Sequence, residues 1–359
     1  MSFKFNRRGV LAGGAAAGAA ALTLPGRAFA ADPLGVAFVY TGPIGDHGYS
    51  YQHDQGRIAV EKALGAKVKV KYVENIAEGP DAERVIKELA QTNGLIFTTS
   101  FGFMDPTIKV AKAFPNVKFE HATGYKKDKN VAIYNARFYE GRAAIGAMAG
   151  MMSKAGVAGY VASFPIPEVV MGINAFTLAA QKINPKFKTK VIWANTWFDP
   201  AKEADAAKAL MDQGCDIITQ HTDSPAPLQA AEQRGMFAFG QASNMAAFAP
   251  KACLTSIVDD WSGYYIGRTQ AVLDGKWEAT DTWFGLKEGM VALGPYSETT
   301  PANVRAAADK IVADIKSGAL HPFTGPIKDQ KGAEKVAAGA KVADKDLLMM
   351  DWYVEGVQS

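Results

Sequence analysis

Ten short apolar runs alternate with helical patterns along the chain, and this alternation limits the possible folds more than any other feature of the sequence. The runs lie near 35–40, 68–73, 94–99, 117–122, 130–134, 158–163, 189–195, 216–221, 236–240 and 253–258. Strands that alternate with helices form mainly parallel sheets with helices on both faces. No long low-complexity linker separates the runs, so we predict an α/β fold of two Rossmann-like lobes with about five strands in each.

Several helix ends are also marked in the sequence. Asp199-Pro200 and Thr300-Pro301 each predict an N-cap followed by proline at the first helical position, and Gly214 and Gly318 stand where helices are expected to stop. After Gly318 the pattern loosens into a predicted hairpin or wrapped extension, which precedes a final predicted strand from Leu347 to Val354.

The first 30 residues have the pattern of a twin-arginine signal peptide. Arg7-Arg8 is followed by an alanine- and glycine-rich run to Leu24 and by the small residues of Ala28-Phe29-Ala30. We predict cleavage after Ala30 and a periplasmic protein. The alternative is an N-terminal membrane anchor, but the apolar stretch is short for a span of ~20 residues. Because no cysteine lies near the cut, we expect no lipid anchor.

Charge and cysteine content narrow the possible partners. The predicted signal peptide holds four of the 39 basic residues and none of the 36 acidic ones, which leaves 35 basic residues and a net charge of about −1. A nucleic-acid or anionic-membrane partner therefore has little support from charge.

Cys215 and Cys253 each lie beside a predicted buried strand, and the sequence leaves open whether they are free thiols or a disulfide.

Aromatic, carboxylate and amide side chains follow the predicted strands, where lysine and arginine are nearly absent. Open parallel sheets bind ligands beyond the carboxyl ends of their strands. The candidate ligand-binding residues are Asp46, Tyr49, Phe101, Phe103, Asp105, Trp197, Asp223, Gln241, Asn244 and Asp259. An anionic ligand would need a cation in the pocket. A purine base fits better, because it offers two π-faces and an edge of N–H donors and nitrogen acceptors.

Four segments, "GPIGDHGYSYQHDQG", "TTSFGFMDP", "NARFYEGR" and "NTWFDPAKEADAA", resemble the basic membrane protein (BMP) family, the purine and nucleoside receptors of bacterial ABC importers. The resemblance covers nearly the whole mature chain. It implies a type I periplasmic-binding-protein architecture in which the chain crosses a hinge between the lobes three times. We place the crossings near 135–137, 259–260 and 286–289. The predicted lobes are then residues 31–136 plus 259–288 and residues 137–258 plus 289–359.

The resemblance also implies roles for several candidates. Tyr49 and Trp197 are the expected aromatic plates on the two sides of the base, and Asp105 is the expected carboxylate that hydrogen-bonds it. Asp223, Gln241 and Asn244 would contribute from the facing lobe. Structural roles are the alternatives. Each aromatic residue can instead pack in the core or at the hinge, and one of Phe101 and Phe103 is expected to face the core. Asp46 and Asp105 can instead cap a helix or a turn.

One position departs from the family pattern. Nucleoside-binding relatives typically have a lysine after the strand that corresponds to 254–258, where it helps to hold the ribose, and this chain has Asp259. A carboxylate can accept a hydrogen bond from the N9–H that only a free base exposes. We therefore expect a free purine base, adenine or a related oxopurine, as the ligand. From the resemblance we also expect a membrane permease as the partner and a monomeric receptor.

Other functions are weighed against this one. A purine nucleoside receptor and a sugar receptor of the same fold are the nearer alternatives. An exported NAD-dependent oxidoreductase is more distant, because Gly42, Gly45 and Gly48 are spaced G-x-x-G-x-x-G instead of G-x-G-x-x-G. The five histidines are scattered without metal-site spacing, and no G-x-S-x-G elbow is present. We expect no metal, no cofactor and no enzymatic activity.

Overall fold

The structure, a computed structural model, describes residues 32–45 and 47–359. The predicted signal peptide and the candidate Asp46 lie outside the described residues. Within those two ranges, no helix combines the length and the apolar character that crossing a membrane requires.

The strands form two large sheets and one small sheet. In chain order they are β1 (Leu34–Val39), β2 (Val68–Val73), β3 (Leu95–Thr98), β4 (Lys118–Ala122), β5 (Val131–Ala136), β6 (Val157–Ala162), β7 (Lys188–Trp193), β8 (Ile217–His221), β9 (Phe237–Gly240), β10 (Cys253–Asp259), β11 (Asp281–Phe284), β12 (Val291–Leu293), β13 (Ile327–Lys328), β14 (Glu334–Val336) and β15 (Val357–Gln358). The first sheet has the order β11-β5-β4-β3-β1-β2, and the second has the order β12-β10-β9-β8-β6-β7-β15. Nearly all pairs are parallel; β12 runs antiparallel to β10, and β13 and β14 form the small hairpin.

Helices cover both large sheets. They are α1 (Tyr49–Leu64), α2 (Pro80–Ala90), α3 (Met104–Ala113), α4 (Phe138–Met152), α5 (Pro167–Ile183), α6 (Pro200–Asp212), α7 (Ala226–Gln233), α8 (Ser262–Leu273), α9 (Ala302–Ser317) and α10 (Asp344–Leu347). We call the first sheet with α1, α2, α3 and α8 the first half, and the second sheet with α4, α5, α6, α7 and α9 the second half. The predicted α/β fold with parallel sheets is confirmed.

Burial on both faces explains why the strands read as continuous apolar runs. In β1 and the residue after it, Val36 to Tyr40 are all fully buried, as is typical of a parallel strand covered on both sides. Phe38 pairs in register with Phe97 of β3, and their rings stack with centroids 4.6 Å apart. The helices that follow these strands then seal the two faces of each sheet.

The chain passes between the two sheets three times. It leaves the first sheet between β5 and α4, returns between β10 and α8, and leaves again between β11 and β12. Arg137, at the first passage, lies 4.2 Å from the ring of Trp283 in β11 and donates to the Trp283 carbonyl at 3.2 Å. Its guanidinium also makes two hydrogen bonds, of 2.9 and 2.6 Å, to the carboxylate of Asp344. One side chain thus ties two passages to the C-terminal segment. The residue boundaries of the lobes stay a prediction.

The prediction of a final strand over Leu347–Val354 is wrong. Leu347 ends the short helix α10, and the strand that completes the second sheet is β15, which pairs with β7. Leu347, Met350 and Val354 are buried, whereas Met349 is 73% exposed. Burial at spacings of three and four residues is not the alternation of a strand, so the apolar content of this segment misled the assignment.

Of the predicted helix ends, those at Asp199 and Gly318 are confirmed, and the N-cap at Thr300 is wrong. Asp199 caps α6 through its side chain, which accepts from the backbone N–H of Lys202, and Gly318 ends α9 in a left-handed conformation with φ of 78°. Thr300 does not cap α9, which begins at Ala302; its hydroxyl donates instead to the Leu254 carbonyl at 3.2 Å. The predicted hairpin after Gly318 is confirmed as β13 and β14.

Cys215 and Cys253 are both buried and free, so the disulfide alternative does not hold.

Candidate functional site

A pocket lies where the carboxyl ends of strands from both sheets meet. It holds about 360 Å³ of space between protein atoms and is lined by Thr41, Tyr49, Thr99, Ser100, Phe101, Thr123, Glu168, Trp197, His221, Asp223 and Gln241. Most of these residues end a strand or directly follow one, which is the position where open parallel sheets place ligands.

Asp223 links the two halves at the pocket wall. The backbone N–H of Tyr49, at the start of α1, lies near its carboxylate and acts to lower the pKa of Asp223. Its own backbone N–H donates to the Trp197 carbonyl at 2.9 Å. Burial raises the pKa of Asp223 well above its usual range, and the Glu203 carboxylate adds to that rise. The pocket therefore contains a carboxyl group that gains from any ligand N–H able to pair with it.

Glu168 and His221 form a second polar pair in the pocket. Glu168 lies in the first turn of α5, and its Oε1 is 3.3 Å from Nε2 of His221 at the end of β8. Burial lowers the pKa of His221, although the contact with Glu168 opposes this effect. We assign the proton to Nε2 from that contact. Nδ1 of His221 and Oε2 of Glu168 then have no partner among residues 32–45 and 47–359, which leaves one acceptor on each side chain for a ligand.

A buried arginine lies behind the pocket. Arg142 of α4 is fully buried, donates to Gln241 Oε1 and, at 3.1 Å, to Thr219 Oγ1, and stands 5.3 Å from the ring of Tyr160. Burial lowers its pKa. Because Gln241 uses its carbonyl oxygen for Arg142, its NH₂ group is the part of the amide that remains to donate to a ligand.

Aromatic side chains reach the pocket from both halves. Tyr49 comes from α1 and packs edge-on against His53, with ring centroids 4.2 Å apart. Trp197 comes from the loop after β7, and its ring lies 5.1 Å from that of Phe164. The Tyr49 hydroxyl is buried without a hydrogen-bond partner in the described part of the chain. Burial raises its pKa well above the usual value, so this hydroxyl stays protonated at neutral pH.

The structure therefore brings together five of the ten predicted site residues: Tyr49, Phe101, Trp197, Asp223 and Gln241. Asp46 lies outside the described residues. Glu168 and His221 are not among the ten candidates, although His221 ends β8 and Glu168 lies in the first turn of α5, the helix that follows β6. Arg142 was also missed, and its signal was a charged residue that directly precedes the small and apolar run of α4.

Phe103, Asp105 and Asn244 do not line the pocket. Phe103 is fully buried in the core of the first half, which leaves Phe101 as the one of the pair at the pocket. Asp105 points to solvent in the first turn of α3, where it pairs with Lys126 at 2.6 Å and caps nothing. Asn244 is exposed and accepts from the backbone N–H of Ala246 at 3.1 Å, which stabilises a local turn.

Asp259 lies next to the pocket groups but is not part of the lining. It is the last residue of β10 and is fully buried, and neither carboxylate oxygen has a partner within the described ranges. Burial raises its pKa well above the usual range; nearby Arg142 opposes this rise, and the carboxylates of Glu168 and Asp223 add to it. Asp259 therefore contributes a buried polar group near Arg142, Glu168 and Asp223.

The two halves also contact each other beside the pocket. The N–H of Gly48 in the first half donates to the Ser243 hydroxyl in the second half at 2.7 Å. The imidazole of His47 packs against Phe248 with ring centroids 5.0 Å apart. The two halves are therefore in contact across the cleft beside the pocket.

The lining carries two carboxyl groups and, among the described residues, no lysine or arginine. The described residues also contain no cluster of histidine, cysteine, aspartate and glutamate side chains that could hold a metal ion. The arrangement can accept N–H donors from a ligand and offer it an amide donor, hydroxyl groups and aromatic faces.

Comparisons with known proteins identify the family of this chain. Residues 34–329 match the sequence model of the Bmp family, described as PnrA-like ABC transporter substrate-binding proteins. The chain is 58% identical over 339 residues to a purine-binding protein of Brucella abortus (strain 2308), covering 94% of this chain and 97% of the relative. It is 40% identical over 288 residues to a Haloferax volcanii protein named as an ABC transporter glucose-binding protein, covering 79% and 73%.

Solved structures support the fold. A solute-binding protein of an Aeropyrum pernix ABC transporter system matches with a TM-score of 0.71 at 18% identity, covering 88% of this chain and 95% of the other. One from Conexibacter woesei matches with a TM-score of 0.64 at 21% identity, covering 80% and 98%. The resemblance noted in the sequence is thus confirmed, and the chain belongs to the Bmp, PnrA-like family of ABC transporter substrate-binding proteins.

Proposed function

We propose that this protein captures a purine in the pocket between its two halves and delivers it to the permease of an ABC importer. The observation that carries the proposal is the lining, which combines three aromatic side chains with two carboxyl groups, an amide and an imidazole, and contains no lysine or arginine among the described residues. Stacking on aromatic faces contributes about 1 to 3 kcal/mol per base. The high identity to a protein named as purine-binding supports the same ligand class.

Within this class we propose a free base, adenine or a related oxopurine. The carboxyl groups of Asp223 and Glu168 match ligand N–H donors, and the Gln241 NH₂ group matches a ring nitrogen. Asp259 stands where nucleoside receptors of the family typically have a ribose-binding lysine, so the chain lacks that donor. A purine nucleoside remains the first alternative.

A sugar is the second candidate, because the Haloferax volcanii relative is named as glucose-binding. Carboxylate and amide groups beside an aromatic plate also suit sugar hydroxyls. The ligand panel therefore contains both sugars and purines.

The test is calorimetric titration of refolded, ligand-free protein with adenine, guanine, hypoxanthine, adenosine, ribose and glucose. We expect a purine base to bind in the micromolar range or tighter, and adenosine to bind at least about 10-fold more weakly. Binding of adenosine alone would overturn the free-base assignment. Binding of ribose or glucose alone would overturn the purine assignment and leave the receptor role intact.

We further propose that the protein is exported by the twin-arginine route, cleaved after Ala30 and released without a lipid anchor. In this proposal it acts as a monomeric binding protein with no enzymatic activity, no metal and no cofactor. Support comes from the Arg7-Arg8 pattern and from the family. N-terminal sequencing of the protein from a periplasmic extract should begin at Ala31, and retention in the membrane fraction would contradict the proposal.

A further inference from the structure

Glu78 is an exposed acidic residue in the loop between β2 and α2, and its carboxylate is held in place by the first half. Its Oε1 accepts from the Ser100 hydroxyl at 2.6 Å and from the Gly102 backbone N–H at 3.1 Å. A Cβ at position 102 would lie 2.2 Å from the Glu78 carboxyl carbon, so glycine leaves the space that this carboxylate occupies. The carboxylate is therefore positioned by its own half of the molecule.

The same oxygen also accepts a hydrogen bond from the other half. Nε1 of Trp197 donates to Glu78 Oε1 at 3.1 Å, and this nitrogen is the single donor of the indole ring. Trp197 and Ser100 both line the pocket, so the contact lies at its edge. Because Glu78 belongs to the first half and Trp197 to the second, the bond can form only when the two halves are together.

We propose that Glu78 is a positioning residue that fixes the Trp197 indole over the ligand and latches the closed state. The inference rests on the proposed function, in that the pocket is taken as the ligand site. The carboxylate does not need to touch the ligand. It sets the plane of the aromatic plate, and it adds a bond that must break before the halves separate. Loss of this bond should mainly raise the rate of ligand dissociation, since affinity differences among variants of one site usually lie in that rate.

A double-mutant cycle tests the coupling between the two side chains. We expect Glu78→Ala to weaken purine binding by roughly 10-fold, because a hydrogen bond to a charged group is lost. Glu78→Gln should recover part of the affinity, since the amide oxygen still accepts from the indole. In a Trp197→Phe background, which lacks the N–H donor, Glu78→Ala should add less than about a twofold loss.

A spectroscopic readout separates positioning from a general structural effect. The indole ¹⁵N–H resonance of Trp197, identified by its absence in Trp197→Phe, should shift in ligand-bound Glu78→Ala and stay in place in Glu88→Ala. Glu88 is the matched control, because it is an exposed carboxylate on the adjacent helix α2 that pairs only with Arg84 in the described chain.

The outcomes distinguish this inference from the proposed function. If the wild-type protein binds none of the purines or sugars, the proposed function fails. If it binds a ligand but the effects of Glu78→Ala and Trp197→Phe are additive, or the indole resonance does not move, the latch is refuted and the binding role stands.

Discussion

Trp197 is the residue at which the two halves and the pocket meet. Its backbone carbonyl accepts from Asp223, its indole N–H reaches Glu78, and its ring lines the pocket. These contacts anchor the side chain at both ends. A ligand that stacks on it therefore meets a surface that is already positioned, which lowers the entropic cost of binding.

Removing this plate should weaken ligand binding strongly. We expect Trp197→Ala to reduce purine affinity by ~10-fold or more, because the stack and its excluded water are lost, and Trp197→Phe to lose less. Titration calorimetry is the measurement. Trp352→Ala, in the C-terminal segment outside the lining, serves as the tryptophan control. Unchanged affinity in Trp197→Ala would remove this residue from the site.

Asp259 should make stability depend on pH in the direction opposite to that of a paired carboxylate. Because burial raises its folded-state pKa above the ordinary value of 3.8, the native state keeps a proton that the unfolded state releases. The unfolding free energy of the ligand-free protein should therefore fall as pH rises from about 4 toward that raised pKa.

Asp259→Asn should make this dependence shallower, because the neutral amide has no proton to lose, whereas Asp223 keeps its own raised pKa. Urea unfolding between about pH 4 and pH 8 measures the effect, and the variant should be the more stable protein at the upper end. Asp205→Asn, at an exposed site on α6, is the control and should keep the wild-type slope. A slope in Asp259→Asn equal to that of the wild type would show that Asp259 is ionised in the native state.

At the scale of elements, α6 shows how local capping supports the site. Asp199 accepts from the Lys202 backbone N–H at 3.1 Å, and Glu203 accepts in return from the Asp199 N–H at 2.9 Å. The other oxygen of Glu203 accepts from the backbone and hydroxyl of Ser224, next to Asp223. The helix start thus connects the loop that carries Trp197 to the loop after β8.

Loss of the cap should cost measurable stability. We expect Asp199→Ala to lower the free energy of unfolding by about 1 kcal/mol, which a shift in the urea midpoint at constant slope would report. Asp205→Ala on the same helix removes an exposed carboxylate of similar charge and should change stability by less than about 0.5 kcal/mol. Equal losses in the two variants would mean that charge, and not capping, is responsible.

Central strands such as β3, β5 and β6 could be predicted from the sequence because burial on both faces makes each one a nearly continuous apolar run. The edge strand β2 shows instead an alternation of partly buried valine and exposed lysine. The short edge strands β11 and β12 could not be predicted. β11 has no fully buried residue over Asp281–Phe284, and β12 has only three residues. Their pairing with β5 and β10 is decided by the return of the chain across the hinge, and sequence patterns of this length do not encode such long-range contacts.

The site was predictable to the extent that its residues directly follow strands. Trp197, Asp223 and Gln241 do so, and the sequence rule for open sheets finds them. Asp105 also comes after a strand, but it is the second residue of α3, and at this position in the first turn its side chain points to solvent. Arg142 lies on a helix, and only the packing of α4 beneath the second sheet brings it behind the pocket.

At the scale of the whole molecule, closure depends on a close approach of backbone to backbone. Gly48 has φ of 89°, and a Cβ there would lie 2.2 Å from the Asp223 carbonyl oxygen of the other half. Real Cβ atoms do not approach this closely, so any side chain at position 48 acts as a wedge between the halves.

Gly48→Ala should therefore favour an open receptor. We expect purine affinity to fall by more than about 10-fold, and the radius of gyration measured by X-ray scattering to stay large when ligand is added. Gly79→Ala is a close control: Gly79 also precedes a helix with φ of 93°, but its Cβ would meet no atom within 4 Å among the described residues. Equal behaviour of the two variants would attribute the effect to backbone strain alone.

The interleaved order of the two sheets has a consequence for biosynthesis. β11 forms the edge of the first sheet beside β5, yet 144 residues separate Ala136 from Asp281, and β6 to β10 are made in between. At ribosomal speeds this interval lasts on the order of ten seconds. During that time the β5 edge of the nascent chain has no strand beside it and is open to pairing with other chains. The first half is therefore prone to aggregation before it can be completed. The yield of the protein in cells should depend on chaperones that bind the nascent chain during this interval.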